Sequence, residues 1–240
     1  MVESLLLSAV RISTFNGNIL LTNASGFFFE RENRLYLVSS RHVFIDEPSE
    51  HFPNRITIDM HVDRTNLADS ITFSIFLYQD GLSVWSQVVD DSGQVDVAVV
   101  EIHKEALPAG VVYTAFSPEH IHDALNDVEI GSSMLVLGFP LGFQDTLHNL
   151  PVVRHAINAS TTRFRFQGMG YFLTDARTHR GTSGACVVIR DPNGQDELPW
   201  KLLGIHSARL DLGTRDLELD EALGLNCTWF ADVLIPLTED

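Results

Sequence analysis

The chain of 240 residues is 45% hydrophobic, enough for one large domain or two small lobes with real cores. Its 16 Lys and Arg stand against 32 Asp and Glu, a formal charge of −16, and no basic residues cluster, which argues against nucleic acid as a partner. No apolar run reaches the roughly 18 residues of a membrane span, and two cysteines are too few for a multi-disulfide secreted scaffold.

Residues 1–10 lack a basic start and a long apolar stretch, so no signal peptide is expected and the chain reads as soluble and cytoplasmic. Short strand-like runs separated by polar turns dominate, the pattern of an all-β protein. Strands are expected at Leu5–Ser13, Asn18–Leu21, Ala24–Phe29 and Leu35–Val38, the last leading into Ser39-Ser-Arg-His42. A histidine at the end of a buried strand is placed to project into a cleft. Further strands are expected at Ile56–Val62, Ile71–Tyr78, Gln87–Asp91 and Val95–Ile102. Asp96 lies near the start of that last apolar run. A carboxylate there is costly to bury without a partner, so it reaches solvent, turn N–H groups or an imidazole.

Ser117-Pro-Glu carries a helix-start signal, and Ile121, Ala124, Leu125 and Val128 share one helical face. This short helix is the expected hinge between an N-terminal lobe (1–116) and a C-terminal lobe (117–240). His120 and His122 have no Cys or carboxylate spacing that completes a zinc site, so no metal is expected. In the second half, strands are expected at Ser133–Leu137, Pro151–Ile157, Thr162–Phe166, Gly170–Leu173, Ala185–Ile189 and Leu202–Ile205. An acidic loop at Gly213–Leu223 precedes a final strand within Leu225–Ile235 that turns into a short C-terminal helix. Cys186 reads as a small apolar core residue, and a pairing with Cys227 is left open.

Between two of these strands lies Arg180-Gly-Thr-Ser-Gly-Ala185. A serine flanked by glycines suits a tight turn that exposes a hydroxyl and aims backbone N–H groups at a developing oxyanion. The Gly-x-Ser-x-Gly elbow of α/β-hydrolases is excluded, because Ala185 stands where its last glycine belongs. His42, Asp96 and Ser183 occur in the chain order His, Asp, Ser, which places the first two in one lobe and the serine in the other.

These motifs together resemble the chymotrypsin-fold serine peptidases, specifically the protease domain of the bacterial HtrA/Deg branch. The resemblance rests on Ser40-Arg-His-Val43, Asp96-Val-Ala-Val99, Thr174-Asp-Ala176, Arg180-Gly-Thr-Ser-Gly184 and Gly204-Ile-His-Ser-Ala208. It covers roughly residues 5–235; Thr182 and Ala185 depart from the usual Asn and Gly. It implies two six-stranded antiparallel β-barrels and a serine endopeptidase that needs no cofactor and acts on polypeptides. Ser183 is then the nucleophile, His42 the general base and Asp96 its orienting acid, with the N–H groups of Gly181 and Ser183 as oxyanion hole. Arg177, six residues before the nucleophile, stands where this fold often has the base of its S1 pocket, whereas Thr178, five before it, and His206 are similar to the S1 pair of glutamyl endopeptidases and picornavirus main proteases. Hydrogen bonds donated by Thr178 and His206, with the Arg177 cation beside them, imply Glu or Gln at P1. The competing expectation is a catalytically silent or partner-activated module of the same fold that binds protein, and a regulatory partner is left open.

Overall fold

The computed structural model of the chain describes residues 3–122, 128–210 and 223–239. The chain is mostly β, as expected. It opens with a 3-10 turn at Ser4–Leu7 instead of the expected strand start. Strands β1 (Ala9–Asn16), β2 (Ile19–Arg31) and β3 (Arg34–Ser39) follow. β2 runs unbroken for 13 residues through the region expected as two strands. Then come β4 (Arg55–His61), β5 (Ser70–Phe76), the short pair β6 (Tyr78–Gln79) and β7 (Leu82–Ser83), β8 (Trp85–Asp90) and β9 (Gly93–Ile102). The second half holds β10 (Ser133–Gly138), β11 (Val152–Asn158), β12 (Tyr171–Asp175), β13 (Cys186–Arg190), β14 (Trp200–Arg209) and β15 (Leu225–Phe230).

The second half closes as expected into a six-stranded antiparallel barrel, in the order β10-β11-β12-β15-β14-β13. The first half does not match the expected six-stranded barrel. It is a seven-stranded sheet, β5-β4-β1-β2-β3-β9-β8, whose end strands β5 and β8 do not pair. The segment expected as a strand at Thr162–Phe166 is irregular and runs into a 3-10 turn at Phe166–Gly168. The expected hinge helix begins as one 3-10 turn, Pro118–His120, where the His120 ring caps the Ser117 N–H at 3.0 Å. Its residues 123–127, and residues 211–222 of the acidic loop, lie outside the described residues. After β15 the chain makes a 3-10 turn at Ala231–Val233 and a helical turn at Leu234–Leu237, close to the expected C-terminal helix. Cys186 and Cys227 are both free thiols.

Each half has its own apolar cluster, and a third joins them. That shared cluster packs Phe27, Phe29 and Val99 of the first sheet with Leu137, Ile205 and Trp229 of the barrel. Phe116 of the connector lies edge-on to Phe27, their ring centroids 5.7 Å apart. Burying these side chains together, at roughly 1.5–3 kcal/mol each, fixes one half against the other. Residues from both halves can therefore meet in one rigid constellation. Among the described residues, no helix is long and apolar enough to cross a membrane.

Candidate active site

His42 does not end β3 but sits three residues beyond it, in the helical turn Arg41–Phe44. Val43 and Phe44 of that turn are buried and hold it against the core. Asp96 stands early in β9, beside β3 in the sheet. Its Oδ2 accepts the His42 Nδ1 proton at 2.7 Å, and its Oδ1 accepts the His42 backbone N–H at 2.9 Å. An ionised carboxylate only accepts, so Nδ1 carries the ring proton and Nε2 is left unprotonated. That is the tautomer a general base requires.

A third donor reaches Asp96 from the other half of the molecule. Ser207 Oγ donates to Oδ2 at 2.5 Å. Ser207 lies at an irregularity in the β14–β15 register, between His206 and Ala208, which aims its side chain across the interface. Burial alone would raise the Asp96 pKa; the hydrogen bonds from His42 and Ser207 and the imidazole charge outweigh it and hold it below its ordinary 3.8. For His42, burial pulls the pKa down, but the hydrogen bond and charge of Asp96, with Asp46 adding, carry it above its ordinary 6.5.

Ser183 lies on the loop between β12 and β13. Gly184, at φ +86°, lets the backbone press against Ser25 O and the Ser39 hydroxyl, where a Cβ would collide with both. Gly181 is left-handed too, at φ +89°, with Phe139 O only 2.7 Å from where a Cβ would sit. The Arg180 carbonyl accepts Leu141 N–H at 2.5 Å. In a trans peptide the N–H points opposite to the C=O, so Gly181 N–H is turned away from Leu141. Among the described residues, neither Gly181 N–H nor Ser183 N–H has an acceptor. These two unspent donors flank the serine, the arrangement an oxyanion hole needs. Ser25 braces the loop: its Oγ donates to Gly181 O at 2.7 Å and accepts Phe139 N–H at 2.9 Å, while its own N–H donates to Ser183 O at 2.9 Å.

Ser183 and His42 line one cavity of about 590 Å³. No hydrogen bond joins Ser183 Oγ to His42 among the described residues; such contacts often tighten only when substrate binds. Ser183 also borders a second, smaller cavity of about 160 Å³, with Thr178, His206, Ser207 and Arg209 among its lining. Thr178 and His206 are thus brought together beside the serine. Arg177 is not. Thr178 N–H donates to Ala176 O at 2.9 Å, closing a three-residue turn with Arg177 at its apex, and the arginine side chain is exposed.

The polarity of this cavity is set by buried partners. Asn226 Nδ2 donates to the carbonyls of Thr174, Ala176 and Gly224. Its Oδ1 must then accept, and Thr178 Oγ1 donates to it at 2.5 Å. Thr178 offers the cavity only lone pairs. His206 is 2% exposed. Burial, with the His42 charge adding, pushes its pKa down to about 3, so it is neutral at ordinary pH.

The roles of Ser25 and Ser207 escape the sequence, because both depend on contacts between the two halves. The nearest signal for Ser207 is its place directly after His206 in Gly204-Ile-His-Ser-Ala208.

The model of the trypsin-like peptidase domain matches residues 24–195. Among solved structures, a serine endoprotease from Yersinia pestis superposes with a TM-score of 0.56 at 17% identity, over 96% of this chain and 61% of that one. A protease from M. tuberculosis in its active form superposes with a TM-score of 0.51 at 14% identity, over 97% of this chain and 79% of that one. The chain thus spans about three-fifths of the Yersinia protein's length. At these identities the likeness is one of fold. No curated protein sequence matches the chain. The family model spans well over half of the 240 residues and takes in His42, Asp96 and Ser183: the chain belongs to the trypsin-like peptidase domain family.

Proposed function

We propose that the protein is a serine endopeptidase that cleaves polypeptides through an acyl-enzyme on Ser183. The observation that carries this reading is Asp96 accepting from His42 Nδ1 while two backbone N–H groups beside Ser183 stand free. Ser183 Oγ bonds to the scissile carbonyl carbon and gives its proton to His42 Nε2. The negative oxygen is met by Gly181 N–H and Ser183 N–H. The C–N bond then breaks, and His42 hands the proton to the departing amine. Water, deprotonated by His42, attacks the ester carbonyl and releases the acid and the serine.

The smaller cavity supports glutamine at P1 in preference to glutamate. A Gln amide has both polarities: its NH2 can donate to Thr178 Oγ1, and its oxygen can accept from the neutral His206 ring. A Glu carboxylate only accepts, so it would oppose the Thr178 lone pairs and find no charge on His206. Arg209 also borders the cavity and keeps Glu as the second reading. Matched peptides differing only at P1 test this. Gln should exceed Glu in kcat/KM by about tenfold, the worth of one misdirected buried hydrogen bond. That ratio should hold from pH 5.5 to 8, because His206 stays neutral throughout. A P1 profile led by Arg, Lys or aromatic residues would refute the assignment.

A further inference from the structure

The cavity shared by His42 and Ser183 is where the leaving group sits, because His42 delivers its proton to the departing amine. Residues C-terminal to the scissile bond therefore occupy it, and its lining combines two chemistries. Leu20 and Leu21 of β2 are 54% and 37% exposed there. Asp46 and Glu50, on the loop after the His42 turn, supply two carboxylates. That loop is closed on itself. Asp46 N–H donates to His51 O at 3.0 Å, His51 N–H donates back to Asp46 O at 2.9 Å, and His51 Nε2 bonds Val43 O at 3.2 Å. Ser49 Oγ donates to the Asp46 carboxylate. The loop thus fixes the backbone of both acids at the cavity, and Ser49 holds the Asp46 carboxylate there.

Exposed leucines next to two carboxylates, one of them anchored, fit a long basic side chain. Its methylene stem covers apolar surface while its charged head reaches the acids. A glutamate satisfies neither chemistry, and a leucine only the first. Arg180 also borders the cavity, beside Gly181, so a cation on the leaving group must sit toward the Asp46–Glu50 loop. The net charge of −16 draws basic segments in the same sense.

We infer that the protein selects Lys or Arg at P1′ or P2′ of its substrate, with Leu20 and Leu21 holding the stem and Asp46 and Glu50 the charge. This inference rests on the peptidase reading above and adds to it a requirement on the leaving-group side.

The test is a set of peptides sharing the unprimed half that P1 profiling selects, with Lys, Leu, Ala or Glu placed in turn at P1′ and at P2′. At one of the two positions, Lys should exceed Glu in kcat/KM by about tenfold, the scale of two partly exposed ion pairs. The ratio should collapse toward one near 1 M salt, where charges are screened within about 3 Å. Glu50→Lys should flatten or invert it; comparing Lys with Glu within one enzyme cancels any general loss of activity. A ratio of one or less at both positions, or one indifferent to salt and to Glu50→Lys, would overturn the inference. An activated ester of the same unprimed half, lacking primed residues, separates the two claims. If the ester turns over while the ratio is flat, the inference alone falls; if neither ester nor any peptide turns over, both fall.

Discussion

Asp96 takes three hydrogen bonds on two oxygens, from the His42 ring, the His42 backbone and Ser207. Those bonds keep it ionised and keep the His42 proton on Nδ1. Replacing it with Asn removes the charge and presents an amide that favours the wrong tautomer. Asp96→Asn should lower kcat by about 10³–10⁴-fold with KM little changed, read in steady-state kinetics. The same pair sets the pH profile. In the proposed mechanism His42 is the base and works only when neutral, and Asp96 carries its pKa above the ordinary 6.5. Activity should therefore fall as pH drops through that raised pKa, with half-maximal kcat/KM above pH 6.5. A plateau reaching well below pH 6 would contradict the pairing.

The Ser183 loop is an element whose shape is imposed from outside. Ser25, fully buried on β2, ties Gly181 O, Phe139 N and Ser183 O to the first sheet. Deleting its hydroxyl leaves Phe139 N–H and Gly181 O short of a partner, at about 1–3 kcal/mol each if they stay buried. Ser25→Ala should lower stability by about 2 kcal/mol in denaturant unfolding; under the proposed mechanism it should also slow acylation more than it raises KM, because the N–H groups proposed as oxyanion donors lose their brace. Much of this region was legible in the sequence. Apolar runs located β3, β9 and β13, and the residues at their ends gave His42, Asp96 and Ser183. Glycines around Ser183 marked the sharp turn. Other features were not legible, for physical reasons. Counting back from Ser183 reached Arg177 and Thr178 alike, but only the turn at Ala176–Thr178 decides which one faces inward. Thr178 was expected to donate to substrate, and it took Asn226, 48 residues away, to spend its proton. The expected strand at Thr162–Phe166 joins no sheet among the described residues.

At the scale of the whole molecule, the site exists only because two β structures share a core. Asp96 stands on an open seven-stranded sheet and His42 on the helical turn beside it, and Ser183, His206 and Ser207 on or beside a closed barrel. Phe27, Phe116, Leu137 and Trp229 hold the two together, so the cleft is built in before substrate arrives. A preformed oxyanion site should react with a reagent that mimics the tetrahedral intermediate and makes little use of side-chain specificity. The most direct measurement is the intact mass of the protein after exposure to a fluorophosphonate, for wild type and Ser183→Ala. We expect one covalent adduct on wild type, mapped to Ser183, and none on the variant. An unmodified wild type, or an adduct that persists in Ser183→Ala, would contradict the assignment of Ser183 as an activated nucleophile.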